Sequence, residues 1–158
     1  MRYFLLDRIT EIHLGETATG LKAISYTESI MHDHFPDFPV LPGAMIIEGL
    51  AQLAGFLLEA TVNTSDENIK RALLCQVDKM KFRGFSIPGD VLTYKATFMS
   101  QLTDAAKIKV EASCNGEQRA SGIITFSLMA IDSENVKKQR QDVYKVWTRG
   151  LENPPEYR

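Results

Sequence analysis

The sequence has few cysteines and no excess of basic residues. Its two cysteines, Cys75 and Cys114, lie far apart and have no neighbouring Cys or His at the spacing of a zinc site. We therefore expect two buried, reduced thiols. A formal net charge of -2 and a pI near 5.9 argue against a nucleic-acid-binding protein, so an anionic partner would have to meet a local basic cluster.

A secretory signal is also lacking, and only one segment approaches the length of a membrane span. The apolar run at residues 3–6 is too short for a signal, so we expect a cytoplasmic protein. The segment from Ala44 to Val62 is longer, but Glu48, Gln52 and Glu59 interrupt it. Burial in a soluble core, with no membrane partner, is the better interpretation of this segment.

Length and patterning indicate one main domain of the α+β class. The chain has 158 residues, of which 44% are hydrophobic, which is enough for one substantial core. Because the long apolar helix that follows Gly43 and ends near residues 63–66 needs cover on nearly every side, we predict a curved antiparallel sheet wrapped around it. Six segments have strand patterns, and the last four predict an antiparallel meander: Leu5 to Leu14, Thr17 to Ser25, Leu73 to Phe82, Val91 to Leu102, Lys107 to Asn115 and Arg119 to Ala130.

A second, amphipathic helix is predicted near the C-terminus. Asp132 or Ser133 can cap it, and its apolar side chains fall roughly on one face: Val136, Val143, Tyr144, Trp147 and Leu151. We therefore divide the chain into a domain of residues 1–131 and a C-terminal helix and tail of residues 132–158. The apolar face can pack on its own sheet or on another subunit.

Three prolines, at positions 36, 39 and 42, stiffen the segment that joins His34 to Gly43. A histidine at the start of such an arm is held in place, and near neutral pH it can act as an uncharged base. Two alternatives stay open for His34. It can be a structural histidine at the mouth of a pocket, or it can form a metal pair with His32, although no third ligand is evident and we expect no metal.

The helix after this arm adds a candidate acid and a candidate oxyanion site. A carboxyl group among apolar side chains is disfavoured as an anion, so Glu48 can be a neutral proton donor. Gln52 lies about 40° away on the helix and can orient that carboxyl. Backbone N–H groups at the helix start, beside Gly43, can hold a developing oxyanion. The plainer alternatives are a core acid paired with Lys or Arg, and a simple turn.

A base, a neutral acid and an oxyanion site are what β-elimination of water from a 3-hydroxyacyl thioester requires. No metal or organic cofactor is needed for this reaction. The same residues form recognisable motifs: His34-Phe35-Pro36-x-x-Pro39-x-x-Pro42-Gly43, Glu48-x-x-Ala51-Gln52, Asp78-x-x-Lys81-Phe82-Arg83 and Pro88-Gly89-Asp90. In these motifs, over residues 3–130, the chain resembles the 3-hydroxyacyl-[acyl-carrier-protein] dehydratases of the FabZ/FabA type, which have the hotdog fold.

The resemblance implies a lyase that converts (3R)-3-hydroxyacyl-[acyl-carrier-protein] to the trans-2-enoyl form in fatty acid or related lipid synthesis. It implies His34 as the base at the α-carbon, Glu48 as the acid for the hydroxyl, and the Gly43 amide as the donor to the thioester oxygen. Gln52 would orient Glu48. It also implies a homodimer in which each site takes His34 from one chain and Glu48 from the other, often within a hexamer that is a trimer of dimers.

An acyl carrier protein is acidic, so a dehydratase of this type is expected to have a local basic rim. Lys79, Lys81 and Arg83 alternate on one predicted strand and should project to one face. Four more residues could add to this rim: Arg71, Lys137, Lys138 and Arg140. The alternative is an ordinary solvated strand face.

The chain departs from the family at Asp33 and Asp37, where glycine is usual. These aspartates narrow the backbone options and place two carboxylates beside the site. They suggest one alternative function, a non-catalytic subunit that binds acyl carrier protein. A second alternative is a hotdog acyl thioesterase that would use Glu48 to activate water, although His34 on the proline-rich arm argues against it.

Overall fold

The computed structural model describes residues 3–66, 68–131 and 133–158. Their regular elements follow the α+β order predicted from the sequence, with six strands and two α-helices. These are β1 (Arg8–His13), β2 (Thr17–Ala23), α1 (Gly43–Val62), β3 (Lys70–Phe82), β4 (Val91–Gln101), β5 (Ala105–Cys114), β6 (Glu117–Ala130) and α2 (Glu134–Thr148). A short 3-10 turn at Ser29–His32 precedes the proline-rich arm.

The strands form one antiparallel sheet in the order β1-β2-β4-β5-β6-β3. Strands β4, β5 and β6 form a meander as predicted, but the predicted place of β3 beside β4 is wrong. Strand β2 occupies that place, with Thr17 opposite Thr97, and β3 pairs with β6 at the far edge. The chain passes from β3 at that edge to β4 through residues 83–90, which form a crossing connection rather than a hairpin turn. In this connection the Ser86 carbonyl accepts a hydrogen bond from the Leu41 N–H, and the Gly89 N–H donates to the Ile24 carbonyl.

Helix α1 lies against the inner face of this sheet and contacts every strand from β2 to β6. Alternate residues of β5 and β6 are buried, as expected for strands with one face on a core. By length and composition α1 could cross a membrane, but 56% of the relevant window is buried within the protein. The helix therefore serves as the core of the domain, and a stripe with Glu48, Gln52 and Gly55 is among the parts that stay partly uncovered.

Helix α2 packs on its own chain, beside β1 and the C-terminal half of α1. Ser133 caps it by accepting a hydrogen bond from the Val136 N–H at 3.4 Å. Asp132, the other predicted cap, lies outside the described residues. Tyr144 and Trp147 are buried, and the Tyr144 ring meets Phe56 of α1 edge-on with centroids 4.6 Å apart. The predicted apolar face of α2 is therefore covered within one chain.

A buried ion pair joins α1, β3 and α2. Glu59 and Arg71 are each 2% exposed, and Glu59 Oε2 accepts hydrogen bonds from Arg71 at 2.9 Å and from the Tyr144 hydroxyl at 2.8 Å. Burial, followed by the nearby Glu59 charge, raises the pKa of Tyr144 well above its usual value, so the hydroxyl stays a donor. The expectation that Arg71 adds to an exposed basic rim is therefore wrong.

One of the two thiols is not where the sequence predicts it. Cys114 is buried, but Cys75 is exposed. Cys75 lies on the edge strand β3 at an irregularity between Leu74 and Gln76, where the alternation of buried and exposed faces is interrupted. Because β3 is an edge strand, the Cys75 side chain is not covered by a neighbouring element, although the apolar sequence around it predicts burial.

Gly49→Ala should destabilise the protein because there is no room for a side chain at that position. A Cβ at Gly49 would lie 2.5 Å from the Leu5 carbonyl oxygen and 2.6 Å from the Tyr94 ring. Since the backbone would have to move, we expect the free energy of unfolding to fall by about 1–3 kcal/mol. Urea denaturation followed by circular dichroism measures this loss.

Gly55→Ala is the matched control on the same helix. The nearest atoms to a Cβ at Gly55 lie at 3.7 and 3.8 Å, which is ordinary contact. Alanine should therefore stabilise α1 by about 1 kcal/mol through its higher helix propensity. Equal losses in the two variants would contradict the close packing of Gly49.

Candidate active site

His34 is held by two contacts to the arm that follows it. Its carbonyl accepts a hydrogen bond from the Val40 N–H at 2.8 Å, and its ring Nδ1 lies 2.9 Å from the Val40 carbonyl oxygen. A carbonyl can only accept, so Nδ1 must carry the proton and donate it. In a neutral imidazole the other nitrogen, Nε2, is then an acceptor. The half-buried ring of His34 thus presents Nε2 as a hydrogen-bond acceptor.

The arm itself has neither helix nor strand between residues 33 and 42, as predicted. Phe35 and Phe38 exchange two backbone hydrogen bonds of 3.0 Å, which close a tight turn. Asp37 within this turn has φ 64°, the left-handed conformation that glycine adopts most easily and that aspartate tolerates better than most residues. Asp33 has φ -107° in the ordinary helical region. Both aspartates are accommodated in this backbone.

Glu48 is oriented by Gln52, one turn later on α1. The Gln52 Nε2 donates to Glu48 Oε1 at 3.0 Å and to the Tyr3 carbonyl at 2.9 Å, while its Oε1 accepts from the Leu5 N–H at 3.0 Å. The predicted hydrogen bond is therefore present. The sequence did not indicate that the N-terminal segment holds the amide of Gln52. Glu48 is only half-buried in a single chain, so it is less enclosed than expected.

Glu48 opens into a cavity of about 170 Å³ between α1 and β3. The other residues that line it come from α1, β3, β6 and α2: Ala51, Gln52, Gly55, Phe56, Glu59, Ala72, Leu73, Leu74, Phe126 and Arg140. His34 is not among them. One chain therefore provides the acid side of the candidate site in this cavity, without the base.

Gly43 begins α1, and the Pro42 that precedes it offers no side-chain cap. The Met45 N–H donates to the Pro42 carbonyl oxygen at 2.9 Å, whereas the N–H groups of Gly43 and Ala44 precede the first helical hydrogen bond and can donate to another acceptor. A Cβ at Gly43 would lie 2.8 Å from the Phe82 ring. The close approach of Phe82 is thus a packing reason for glycine here, and the oxyanion role of the Gly43 amide stays a prediction.

The predicted basic rim is present but not for the predicted reason. Lys79, Lys81 and Arg83 line one open cavity of about 370 Å³. Simple alternation is wrong, because the β3–β6 register shifts between Asp78 and Lys81, Lys79 has φ 52°, and β3 ends before Arg83. Lys109 of β5 lines the same cavity. The alternation of polar and apolar residues along β5 indicates an exposed Lys109, but the sequence analysis did not include Lys109 in the rim.

The arm does not gather metal ligands. The His32 ring packs edge-on against Tyr26, with centroids 5.3 Å apart. Within residues 3–66, 68–131 and 133–158, no group of three or more His, Cys, Asp or Glu side chains is placed to hold a metal ion.

Comparison with known proteins connects these features to a family. A sequence model described as the FabA-like domain matches residues 1–122. The 3-hydroxyacyl-[acyl-carrier-protein] dehydratase FabZ of Ruminiclostridium cellulolyticum is 34% identical over 126 residues, which is 80% of this chain and 87% of the relative. The protein of the same name from Acetivibrio thermocellus is 35% identical over 130 residues, covering 80% of this chain and 85% of the relative.

Solved structures show the same fold. The dehydratase heterocomplex ApeI:P from Xenorhabdus doucetiae superimposes with a TM-score of 0.57 at 19% identity, over 76% of this chain and 98% of that one. The fluoroacetyl-CoA thioesterase FlK gives a TM-score of 0.62 at 14% identity, over 84% of this chain and 98% of that one. At such identities these similarities establish the hotdog architecture alone.

Gln52→Leu should destabilise the protein, because the variant leaves the Leu5 N–H and the Tyr3 carbonyl without their partner. We expect the free energy of unfolding to fall by about 1–2 kcal/mol, as for other part-buried groups that lose a hydrogen bond. The exposed Gln101 at the end of β4 offers a control, and Gln101→Leu should change stability little. Thermal and urea unfolding measure the stability of both variants. If Gln52→Leu is as stable as the parent, the Gln52 amide does not hold the N-terminal segment in place.

Proposed function

The chain belongs to the FabA-like domain family, and we propose that it is a 3-hydroxyacyl-[acyl-carrier-protein] dehydratase of fatty acid synthesis. The observation that supports this most directly is His34, whose Nδ1–H is committed to the Val40 carbonyl so that Nε2 is left to accept a proton. The FabZ dehydratases that are 34% and 35% identical over most of the chain supply the substrate class.

Residues 1–131 form the dehydratase domain, and residues 132–158 are an appendage. The reaction takes place in the cytoplasm.

The proposed reaction is an elimination with two proton transfers. His34 Nε2 removes the α-proton, and the electron pair moves toward the thioester carbonyl, whose oxygen the Gly43 amide holds. The carbon–oxygen bond at the β-carbon then breaks, and Glu48 protonates the departing hydroxyl to give water. Gln52 keeps the Glu48 carboxyl in position. Imidazolium and carboxylate exchange the proton through solvent before the next turnover.

The active enzyme in this proposal is a homodimer. A single chain places Glu48 in a groove that His34 does not line. Strand β3 borders that groove at the sheet edge, where its Leu73 and Leu74 are 37% and 46% exposed. An exposed apolar edge strand of this kind favours pairing with a second copy. His34 of one protomer would then face Glu48 of the other, and the resemblance further implies three such dimers in a hexamer.

Acyl carrier protein is the partner in this proposal, and it docks on the basic rim formed by Lys79, Lys81, Arg83 and Lys109. The four side chains line one open cavity on the outer side of the sheet. Clustered cations increase the rate of encounter with an acidic partner, even on a protein whose net charge is -2.

His34→Ala and Glu48→Gln should each lower the formation of enoyl product by at least about a hundredfold, because each variant removes a proton-transfer group. Purified protein is incubated with (3R)-3-hydroxyacyl-carrier-proteins, and the conjugated enoyl thioester is followed by absorbance and mass spectrometry. Circular dichroism controls for folding. Parent-like rates in His34→Ala would refute its role as the base. Release of a free thiol by the parent would favour a thioesterase, and carrier binding without turnover a non-catalytic subunit.

A mixing experiment tests the shared site. When the two inactive variants are refolded together at equal amounts, half of the random dimers contain one of each chain, and each such dimer has one site with both native residues. Activity should therefore return to about a quarter of the parent level for a two-fold dimer. If both residues act within one chain, mixing restores nothing.

Lys81→Glu should weaken docking of the carrier without changing the chemical step. We expect KM for the carrier-linked substrate to rise roughly tenfold, since reversal of one charge at an acidic interface is worth about 1.4 kcal/mol. Turnover of the same acyl group on pantetheine alone should stay near the parent rate, and added salt should reduce the difference. Lys145→Glu, on the exposed side of α2, is the matched control. An equal rise in KM for both substrates would contradict the docking site.

A further inference from the structure

The appendage contributes one side chain to the groove that begins at Glu48. Arg140 of α2 lines this cavity together with residues of α1 and β3. Helix α2 lies beyond residues 1–122, the part of the chain that matches the family. We infer that α2 closes the far end of the acyl groove and that Arg140 limits the length of the acyl chain that this enzyme accepts. The inference rests on the proposed dehydratase function.

The groove follows one face of α1. Glu48, Gln52, Gly55 and Glu59 lie on successive turns of that face, and the first and last are separated by about 16 Å at the helical rise of 1.5 Å per residue. Between its polar ends the groove is lined by Gly55, which has no side chain, and by the apolar Leu73 and Leu74 of β3. An acyl chain that starts beside Glu48 can therefore extend along α1.

The far end of the groove is charged. Glu59 already has its partners there, namely Arg71, the Tyr144 hydroxyl and the Ala72 N–H at 3.0 Å. Arg140 is only a distant addition, with its Nη2 3.9 Å from Glu59 Oε1 and its side chain 38% exposed. Glu59 is thus neutralised without Arg140. The partly exposed Arg140 guanidinium therefore relies on solvent at the groove end for most of its hydrogen bonds.

An alkyl chain long enough to reach this guanidinium would displace that water and offer no hydrogen bond in return. Removal of water from a charged group without a replacement partner is unfavourable. Chains that end before Arg140 avoid this cost and still bury their methylenes in the apolar middle of the groove. The charged end therefore sets an upper limit on chain length.

Replacement of Arg140 should leave α2 in place. The helix is anchored one turn later by Tyr144, which bonds to Glu59 and packs against Phe56, and by the buried Trp147. The partly exposed contact of Arg140 to Glu59 contributes little to this anchoring. Arg140→Ala can therefore test the end of the groove rather than the fold of the appendage.

The experiment compares the parent with Arg140→Ala on (3R)-3-hydroxyacyl-carrier-proteins of roughly four to sixteen carbons. In the parent, kcat/KM should fall for chains that reach Arg140. In Arg140→Ala the ratio of kcat/KM for the longest to the shortest chain should rise about tenfold, the effect of roughly two further buried methylenes. Lys145→Ala, which removes the same charge from an exposed part of the same helix, should keep the parent profile.

A second series separates this inference from the proposed function. Binding of saturated acyl-pantetheine amides of the same lengths is measured by calorimetry, which needs no turnover. A groove closed by Arg140 should bind the longer amides about tenfold more tightly in Arg140→Ala than in the parent. A parent that forms no enoyl product from any substrate would overturn the proposed function alone. A length profile that is the same in the parent and in Arg140→Ala, in binding or in turnover, would overturn the inference.

Discussion

The burial of α1 is the constraint on which the rest of this structure depends. A 20-residue helix with so few polar side chains must be covered, and one six-stranded antiparallel sheet covers much of it. The space is so tight that the helix requires glycine where Leu5 and Tyr94 approach Gly49. The stripe that the sheet leaves open contains Glu48 and Gln52. The same packing that stabilises the domain therefore also determines where polar chemistry can occur.

Local hydrogen bonds orient the side chains of His34 and Glu48. The Val40 carbonyl selects the tautomer of His34, and Gln52 joins the Glu48 carboxyl to the N-terminal segment. In a single chain, however, His34 does not line the cavity that contains Glu48. This observation, together with the exposed edge of β3, is the reason why we propose a pair of chains as the catalytic unit.

The C-terminal appendage extends the same arrangement. The core carboxylate paired with arginine, which the sequence allowed as an alternative for Glu48, is in fact Glu59 with Arg71. Through Tyr144 this pair also anchors α2 against the end of α1. A buried ion pair contributes little net stability by itself, but it specifies which surfaces meet. Here it brings a helix outside the matched family domain to the end of the groove that starts at Glu48.

The sequence by itself determined the elements, the α+β class, the family, the stiff arm at His34 and the Glu48–Gln52 hydrogen bond. These follow from local patterns, since periodicity, proline chemistry and helical spacing act between residues that are near in the chain. Only the tertiary structure decided the place of β3 at the sheet edge, the exposure of Cys75, the burial of Arg71, the bulge that gathers Lys79, Lys81 and Arg83, and the entry of Arg140 into the groove. Each of these depends on which distant segments pack together, and on burial that no local pattern records.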